Sequence, residues 1–297
     1  MSENSIVDLS GLTEPVANVA TKLVDKLSNG VGWIANRKTP KKIAIDTYIE
    51  EIKNSNLEPI VKASLISNAQ KTIKEYCNQN NIIEIACNSL NSTAHPEIID
   101  DDWLNQFMDK ARLVSDEEFQ FIWGKILAEE CNATNSIPKQ LLSILEQMDK
   151  SDAKAFAEIC SISIYIEENN KITFFPIIKQ SNNVELSSKI GIGFEDLVNL
   201  KALGLLDMDF SGIDDIYGVK FYITPAVIKY QNNKYELPKE MNNFPVGNVL
   251  FTKTGNALCK ALKISEEQEG FWEEYCLPTF QKAIKEFYNQ KSDVSNK

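Results

Sequence analysis

The sequence predicts an α+β protein, mainly helical, in which a helical N-terminal domain precedes a smaller α+β domain and a C-terminal aromatic helix. Three observations predict it. Apolar residues recur at helical spacing through most of the first 160 positions. Near Ile162 the texture changes to short, β-rich runs separated by turn residues. From Ser265 onward a helical pattern returns, crowded with Phe, Trp and Tyr. The domain reading follows: residues 1–42 as an amphipathic helix plus basic linker, 43–161 as the helical domain, 162–264 as the α+β domain, and 265–297 as a helix and tail.

The first helix starts near Thr13, which can cap it, with Pro15 in its first turn. Val16, Ala20, Leu23, Leu27, Val31 and Ile34 recur along it, and Gly30 and Gly32 weaken its end. Residues 43–90 read as two helical segments broken at Asn54–Ser55–Asn56 and Pro59. After a loop at 91–96, helices are expected at 101–112 and 115–130. The second opens with a Ser115/Glu118 capping box and presents Phe119, Ile122, Trp123, Ile126 and Leu127 on one face. A helix at 137–148 turns Leu141, Ile144, Leu145 and Met148 inward, and Ser151 is expected to cap the next. Strands are expected at 162–166, 171–178, 205–208, 219–224 and 248–251. A short helix at 194–203 ends on Gly204, and another helix spans 252–262. Ser265 and Gln268 form a second capping box ahead of the aromatic helix, which Pro278 is expected to kink.

Composition bounds the function. The 297 residues carry a net charge of −11, which disfavours broad nucleic-acid binding. Six cysteines, at 77, 87, 131, 160, 259 and 276, show no CxxC spacing and read as buried thiols of a reducing compartment. No secretory signal and no apolar run of about 18 residues is present, so the expected location is cytoplasmic, with peripheral contact to the inner membrane as the sharper form.

Two phrases of the C-terminal half, FEDLVNLKALGLLDM (194–208) and NVLFTKTGNALCKAL (248–262), resemble winged-helix modules. That resemblance implies a short helix, a glycine turn and a β-hairpin. As a recognition helix, 194–203 begins with Glu195 and Asp196 and carries only Lys201 as a cation, and four aspartates follow within 207–215. Packing or protein contact is the favoured use of the module.

The central block, DWLNQF (102–107) and VSDEEFQFIWGKILAEE (114–130), resembles an uncharacterised bacterial domain-of-unknown-function family. The likeness extends to QNNIIEIACNSL (79–90), to LLSILEQMDKSDAKAFAEICS (141–161) and to the opening at 8–32. It supplies no catalytic residues. The order of parts, with Asp116, Glu118, Trp123, Leu127 and Ala128 on the acidic helix, is also similar to the abortive-infection alpha family, and that likeness implies a phage-defence or stress role.

Catalytic, cofactor-binding and metal-ligating residues are not assigned, and no cofactor is expected. His95 is the only histidine, no metal-spaced Cys cluster exists, and Gly191–Gly193 do not complete a dinucleotide-binding loop. The acidic groups 100–102, 116–118 and 129–130 fit helix starts and solvated faces better than general acid–base work. One segment carries a sharper expectation. Leu23, Leu27, Val31, Trp33 and Ile34, followed by Arg37, Lys38, Lys41 and Lys42, combine an apolar stripe with a basic cluster, a pattern suited to a membrane surface or a partner protein. The expected function is therefore a non-enzymatic interaction protein with protein partners, itself homo-oligomeric, acting as a defence or stress effector at the membrane. The alternatives are a winged-helix DNA-binding regulator and a hydrolase using the acidic clusters.

Overall fold

A computed structural model describes residues 9, 11–33, 42–169, 171–179, 191–211, 217–222, 225–262 and 268–295; for 42–46 and 292–295 it describes the backbone alone. The fold is mixed α+β and mainly helical, and the chain divides into two compact units, residues 1–142 and 143–297. The division falls inside a helix rather than at the change of texture near Ile162. The helix after it, assigned above to the N-terminal domain, belongs to the second unit.

The first unit is helical. Helix α1 (Glu14–Val31) buries Val19, Ala20, Leu23, Val24 and Leu27 and ends where Gly32 adopts φ 63°. Helix α2 (Lys42–Asn54) packs on the first half of α3 (Pro59–Cys87), whose second half enters the core through Ile82, Ile83, Ala86 and Cys87. A 3₁₀ turn (Pro96–Ile98) leads to α4 (Asp101–Ala111) and α5 (Glu117–Asn132). Helix α6 (Lys139–Gln147) crosses the division between the units.

The caps lie close to the expected places, with two corrections. Asp116, not Ser115, caps α5, its carboxylate accepting from the Glu118 and Phe119 amides at 3.1 and 3.3 Å. Asp149, not Ser151, caps α7 (Lys150–Ser161) in a box with Asp152. A carboxylate accepts an amide hydrogen bond more strongly than a hydroxyl and also offsets the helix dipole. Each aspartate lies within two residues of the serine it displaces.

The second unit pairs β1 (Ser163–Glu168) with β2 (Lys171–Pro176). Helix α8 (Phe194–Ala202) then leads into β3 (Leu206–Met208). Four further strands follow: β4 (Tyr217–Lys220), β5 (Val227–Tyr230), β6 (Asn233–Glu236) and β7 (Asn243–Gly247). Next come β8 (Val249–Phe251) and α9 (Lys253–Leu262). The sheets are antiparallel: one of order β2-β1-β5-β6, with β3 on β8 and β4 on β7. Strand β3 is not paired with β4, the next strand along the chain. Strand β3 pairs instead with β8 (Leu206 opposite Phe251), and the chain from Asp209 to Asn248 lies between them. Residues 223–224 of the expected strand, and Ser265 of the expected capping box, lie outside the described residues.

The corner around α8 explains why the two phrases 194–208 and 248–262 occur together. Gly204 turns at φ 80°. The Thr252 hydroxyl donates to the Gly204 carbonyl at 2.7 Å and accepts from the Gly255 amide at 3.0 Å, capping α9 onto the turn. A Cβ at position 255 would collide with the Leu205 carbonyl oxygen, so glycine is required there.

At the C-terminus the helical path is not a simple kink at Pro278. A π-helical turn (Trp272–Cys276) runs into α10 (Leu277–Ser295). Proline lacks the amide hydrogen that a regular α-helical ladder uses, and the wider turn immediately precedes it. Its aromatic residues pack within the second unit. Tyr230 contacts Phe271 and Trp272, and Phe280 contacts Tyr235 and Phe244, with ring centroids 5.0–6.1 Å apart. The Tyr230 hydroxyl also donates to the Ser161 carbonyl at 2.9 Å, fixing the sheet to the end of α7.

Candidate functional site

The segment singled out in the sequence is divided by the structure. Leu23 and Leu27 are fully buried, Trp33 is buried and Val31 is half-buried. Ile34, Arg37, Lys38 and Lys41 lie outside the described residues, and Lys42 is the first residue of α2, described by backbone alone. The apolar stripe of α1 packs on α4, on the 3₁₀ turn and on α3. Burying two leucines of this kind contributes about 1.5–3 kcal/mol each, so the helix is part of its own unit's core.

Beyond α1, Trp33 stacks on Tyr76 of α3, ring centroids 6.0 Å apart at 10°. A cavity of about 310 Å³ opens beside this pair, walled also by Met108 and Arg112. The buried Trp33 indole nitrogen has no hydrogen-bond partner among the described residues, whereas Arg112 and Gln79 are engaged. The Arg112 guanidinium donates to Glu75 at 2.8 Å and to Asp109 at 3.0 Å, and the Gln79 amide donates to the Met108 carbonyl at 2.9 Å. The hydrogen bond that the guanidinium donates to Asp109, and the charges of both carboxylates, raise its pKa further. The notch is a rigid end to α1, held by an aromatic stack and an ion-pair cluster.

The block 102–130 proves to be a structural knot. Trp103 and Trp123 are buried, as their helical spacing predicts, with Phe107 between them at 5.2 Å from each. The Trp103 indole donates to the Ile137 carbonyl at 3.1 Å. Glu130, almost fully buried, accepts from the Asn135 and Ile137 amides at 2.6 and 2.8 Å. Both side chains thus fasten the same turn, in which Asn135 adopts φ 64°. Burial pushes the Glu130 carboxyl above the ordinary carboxylate range, while the backbone donors of residues 135–137 pull it back.

On the other side of the block, buried Gln120 donates to the Val114 carbonyl at 2.9 Å and to Asn78 at 3.3 Å, and accepts from Asn81 at 3.2 Å. This amide network joins α3 to the turn before α5. It accounts for the pairing of the 79–90 and 114–130 stretches in the sequence.

The acidic clusters separate in the same way. Asp100 caps α4 through the Trp103 amide at 2.9 Å, Asp116 caps α5, and Glu130 fastens its turn. Among the described residues no group of three or more His, Cys, Asp or Glu side chains is arranged to hold a metal ion. His95 is exposed and bonds Glu97 at 3.1 Å. Burial pushes the Cys87 thiol up to about 12 and raises Cys131, Cys160 and Cys276 as well, the opposite of what a nucleophile needs.

On α8, the single cation Lys201 is held by the Met208 carbonyl at 2.9 Å and by Asp207 at 3.5 Å. The exposed face beside it carries Phe194, Glu195 and Val198. Burial, and then the nearby Asp207 and Asp209, raise the Tyr217 phenol pKa. Asp207 thus both engages Lys201 and lies close to the Tyr217 phenol.

One surface passed over in the sequence stands out. The hairpin of α2 and α3 exposes Tyr48, Leu57, Ile60, Val61 and Leu65, with Ile60 at 77% of its full accessibility. Ile49 and Ile52 of α2 are buried, while Lys62, Ile66, Ala69 and Ile73 of α3 form a half-buried seam at helical spacing. Ile60, Val61, Ser64, Leu65 and Asn68 lie on another face of α3, and that face is exposed. The signal was present in the sequence as a stretch, Ser55–Gln70, whose charged residues are Glu58 and Lys62 alone. Helical spacing alone does not say which apolar positions of this stretch α2 covers.

No helix among the described residues is long and apolar enough to cross a membrane. No curated protein and no solved structure matches the chain. A family model described as Protein of unknown function (DUF2806) matches residues 66–274. The matched span contains the Gln120 network, the Trp103–Glu130 knot and the Gly204–Thr252 corner; α1, α2 and the first turns of α3 precede it. A match over well more than half of the chain places it: this protein belongs to the DUF2806 family.

Proposed function

We propose that this chain is an interaction protein whose work is done by binding another protein, with the α2–α3 hairpin as the contact surface. The observation that supports this reading is the exposed apolar row Tyr48, Leu57, Ile60, Val61 and Leu65, on a helical hairpin whose own seam is already filled. An exposed apolar row of this kind is a usual mark of a protein-binding face. The buried thiols and the carboxylates engaged in caps favour binding over catalysis. A defence or stress role, possessed by analogy with the abortive-infection alpha family, is part of the proposal; phage challenge of cells with and without the protein tests it.

The contact surface is tested directly by placing a photo-crosslinking amino acid at Val61, on the hairpin, and at Lys154, on the exposed side of the other unit. Irradiation in cells is expected to give discrete protein adducts from position 61 and none from 154. Absence of any adduct at 61 would sink the idea.

A further inference from the structure

We infer that the cavity at the end of α1 is a binding site for a small, uncharged aromatic molecule whose carbonyl oxygen accepts from the Trp33 indole. The site uses none of the exposed apolar row of the α2–α3 hairpin. Its geometry is set by the close of α1. Gly32 adopts the left-handed conformation, and the chain turns back so that the Trp33 amide donates to the Leu27 carbonyl at 3.2 Å. That turn lays the indole on the Tyr76 ring of α3, where it walls a cavity of about 310 Å³. Val31 and Met108 supply apolar wall beside the two rings. The volume stands at the small end of the roughly 300–1,000 Å³ of ligand pockets. A water's share of liquid volume is about 30 Å³, so the cavity suits a molecule of about ten non-hydrogen atoms.

The indole nitrogen selects the polar group of the ligand. Trp33 keeps 6% of its full accessibility, and its N–H has no acceptor among the described residues. A buried donor left unanswered is costly, and most buried polar groups have a partner. The neighbouring Gln79 amide is held by the Met108 carbonyl, and Arg112 by Glu75 and Asp109. The indole nitrogen is closed to solvent. A ligand reaches it by entering the cavity and turning the indole slightly about its side-chain bonds. What it must bring is an acceptor, and a carbonyl oxygen is an uncharged acceptor with two lone pairs.

Charge and shape select the rest. Arg112 of the cavity wall pairs with Glu75 and Asp109, and the Lys71 ammonium lies 3.9 Å from Glu75. This cluster holds two cations and two carboxylates, so an ionised ligand gains no net attraction from it and loses hydration on entry. Trp33, Tyr76 and Met108 offer flat and polarisable surface, which suits a planar aromatic ring.

The full-length chain labelled with nitrogen-15 tests the site, since its four tryptophans give four indole N–H resonances and Trp33→Phe identifies one of them. Acetanilide, a phenyl ring carrying an amide carbonyl, is the probe. It is expected to move the Trp33 resonance downfield and saturably at millimolar concentration, leaving the other indole resonances in place. Benzoate and benzylammonium, its charged counterparts, are expected to leave the Trp33 resonance where it is. Trp33→Phe is expected to weaken acetanilide binding about tenfold, the size of one net hydrogen bond, read from the probe's own signals. Thr72→Phe, at an exposed position on the cavity wall, is expected to fill the cavity and abolish the movement with far-ultraviolet circular dichroism unchanged. It covers the case where Trp33→Phe misfolds. No saturable movement of any indole resonance up to about 10 mM acetanilide, or a movement that survives Thr72→Phe, overturns the site. An equal movement with benzoate or benzylammonium overturns the preference for an uncharged ligand.

Discussion

Gly124 shows how tightly the family block is built. A methyl group there would lie 2.5 Å from Ile85 Cγ2 and 3.0 Å from the Ile82 carbonyl oxygen, because α3 and α5 cross at that point. Alanine normally favours a helix over glycine by about 1 kcal/mol. Here overpacking at the crossing is of larger size, about 1–3 kcal/mol, so Gly124→Ala is expected to lower the thermal midpoint. A midpoint that rises would show that the crossing can open without cost. Trp103 and Trp123 were legible from their helical spacing, since bulky apolar residues on one stripe have few places to go but the core. Gln120 and Glu130 were not. A polar residue is buried only when distant partners satisfy it, and Asn78, Asn81 and the 135–137 turn come together only in the folded chain.

Helix starts from α1 to α9 were legible to within a residue or two because caps are local chemistry, and Asp100 allows a test of one. Hydrogen bonding from the Trp103 amide, then from Lys139, holds its carboxyl below the ordinary aspartate value. A depressed pKa means that the stabilisation is present above the unfolded value and is lost as pH falls through the folded one. Wild type is therefore expected to exceed Asp100→Ala in denaturation midpoint at pH 6–7, with the difference shrinking below about pH 4. A difference independent of pH would mean that the carboxylate charge is not what matters. Strands fared worse than helices. The β5–β6 hairpin turns on Gln231, at φ 49°, with Asn232 beside it, and neither is the Asn-Gly pair that marks such a turn in sequence. The partner of β3 has no local signal, since β8 is separated from it by the whole excursion through β4–β7; only the resemblance of the phrases 194–208 and 248–262 put the two in one module.

For the whole molecule, the place of α1 changes how any membrane role must be tested. Deleting residues 1–42 would remove Leu23, Leu27 and Trp33 from the core of the first unit, so loss of vesicle binding in such a chain would report damage rather than lipid contact. With the apolar stripe of α1 buried, the part of the expected lipid contact that remains is the basic cluster Arg37, Lys38, Lys41 and Lys42. Each such charge near an anionic surface contributes about 1 kcal/mol, against the repulsion of a chain carrying −11 overall. Neutralising all four to Gln keeps residues 14–33 as they are in sequence and removes the positive charge of the cluster. If the cluster meets lipid, full-length protein floats with vesicles containing phosphatidylserine at low salt, releases as salt rises, and fails to float in the four-Gln variant. Flotation that is equal in the two proteins shows that the cluster is not what meets lipid, and flotation absent from both argues against any membrane contact and leaves the proposed protein contact at the α2–α3 hairpin as the reading to test.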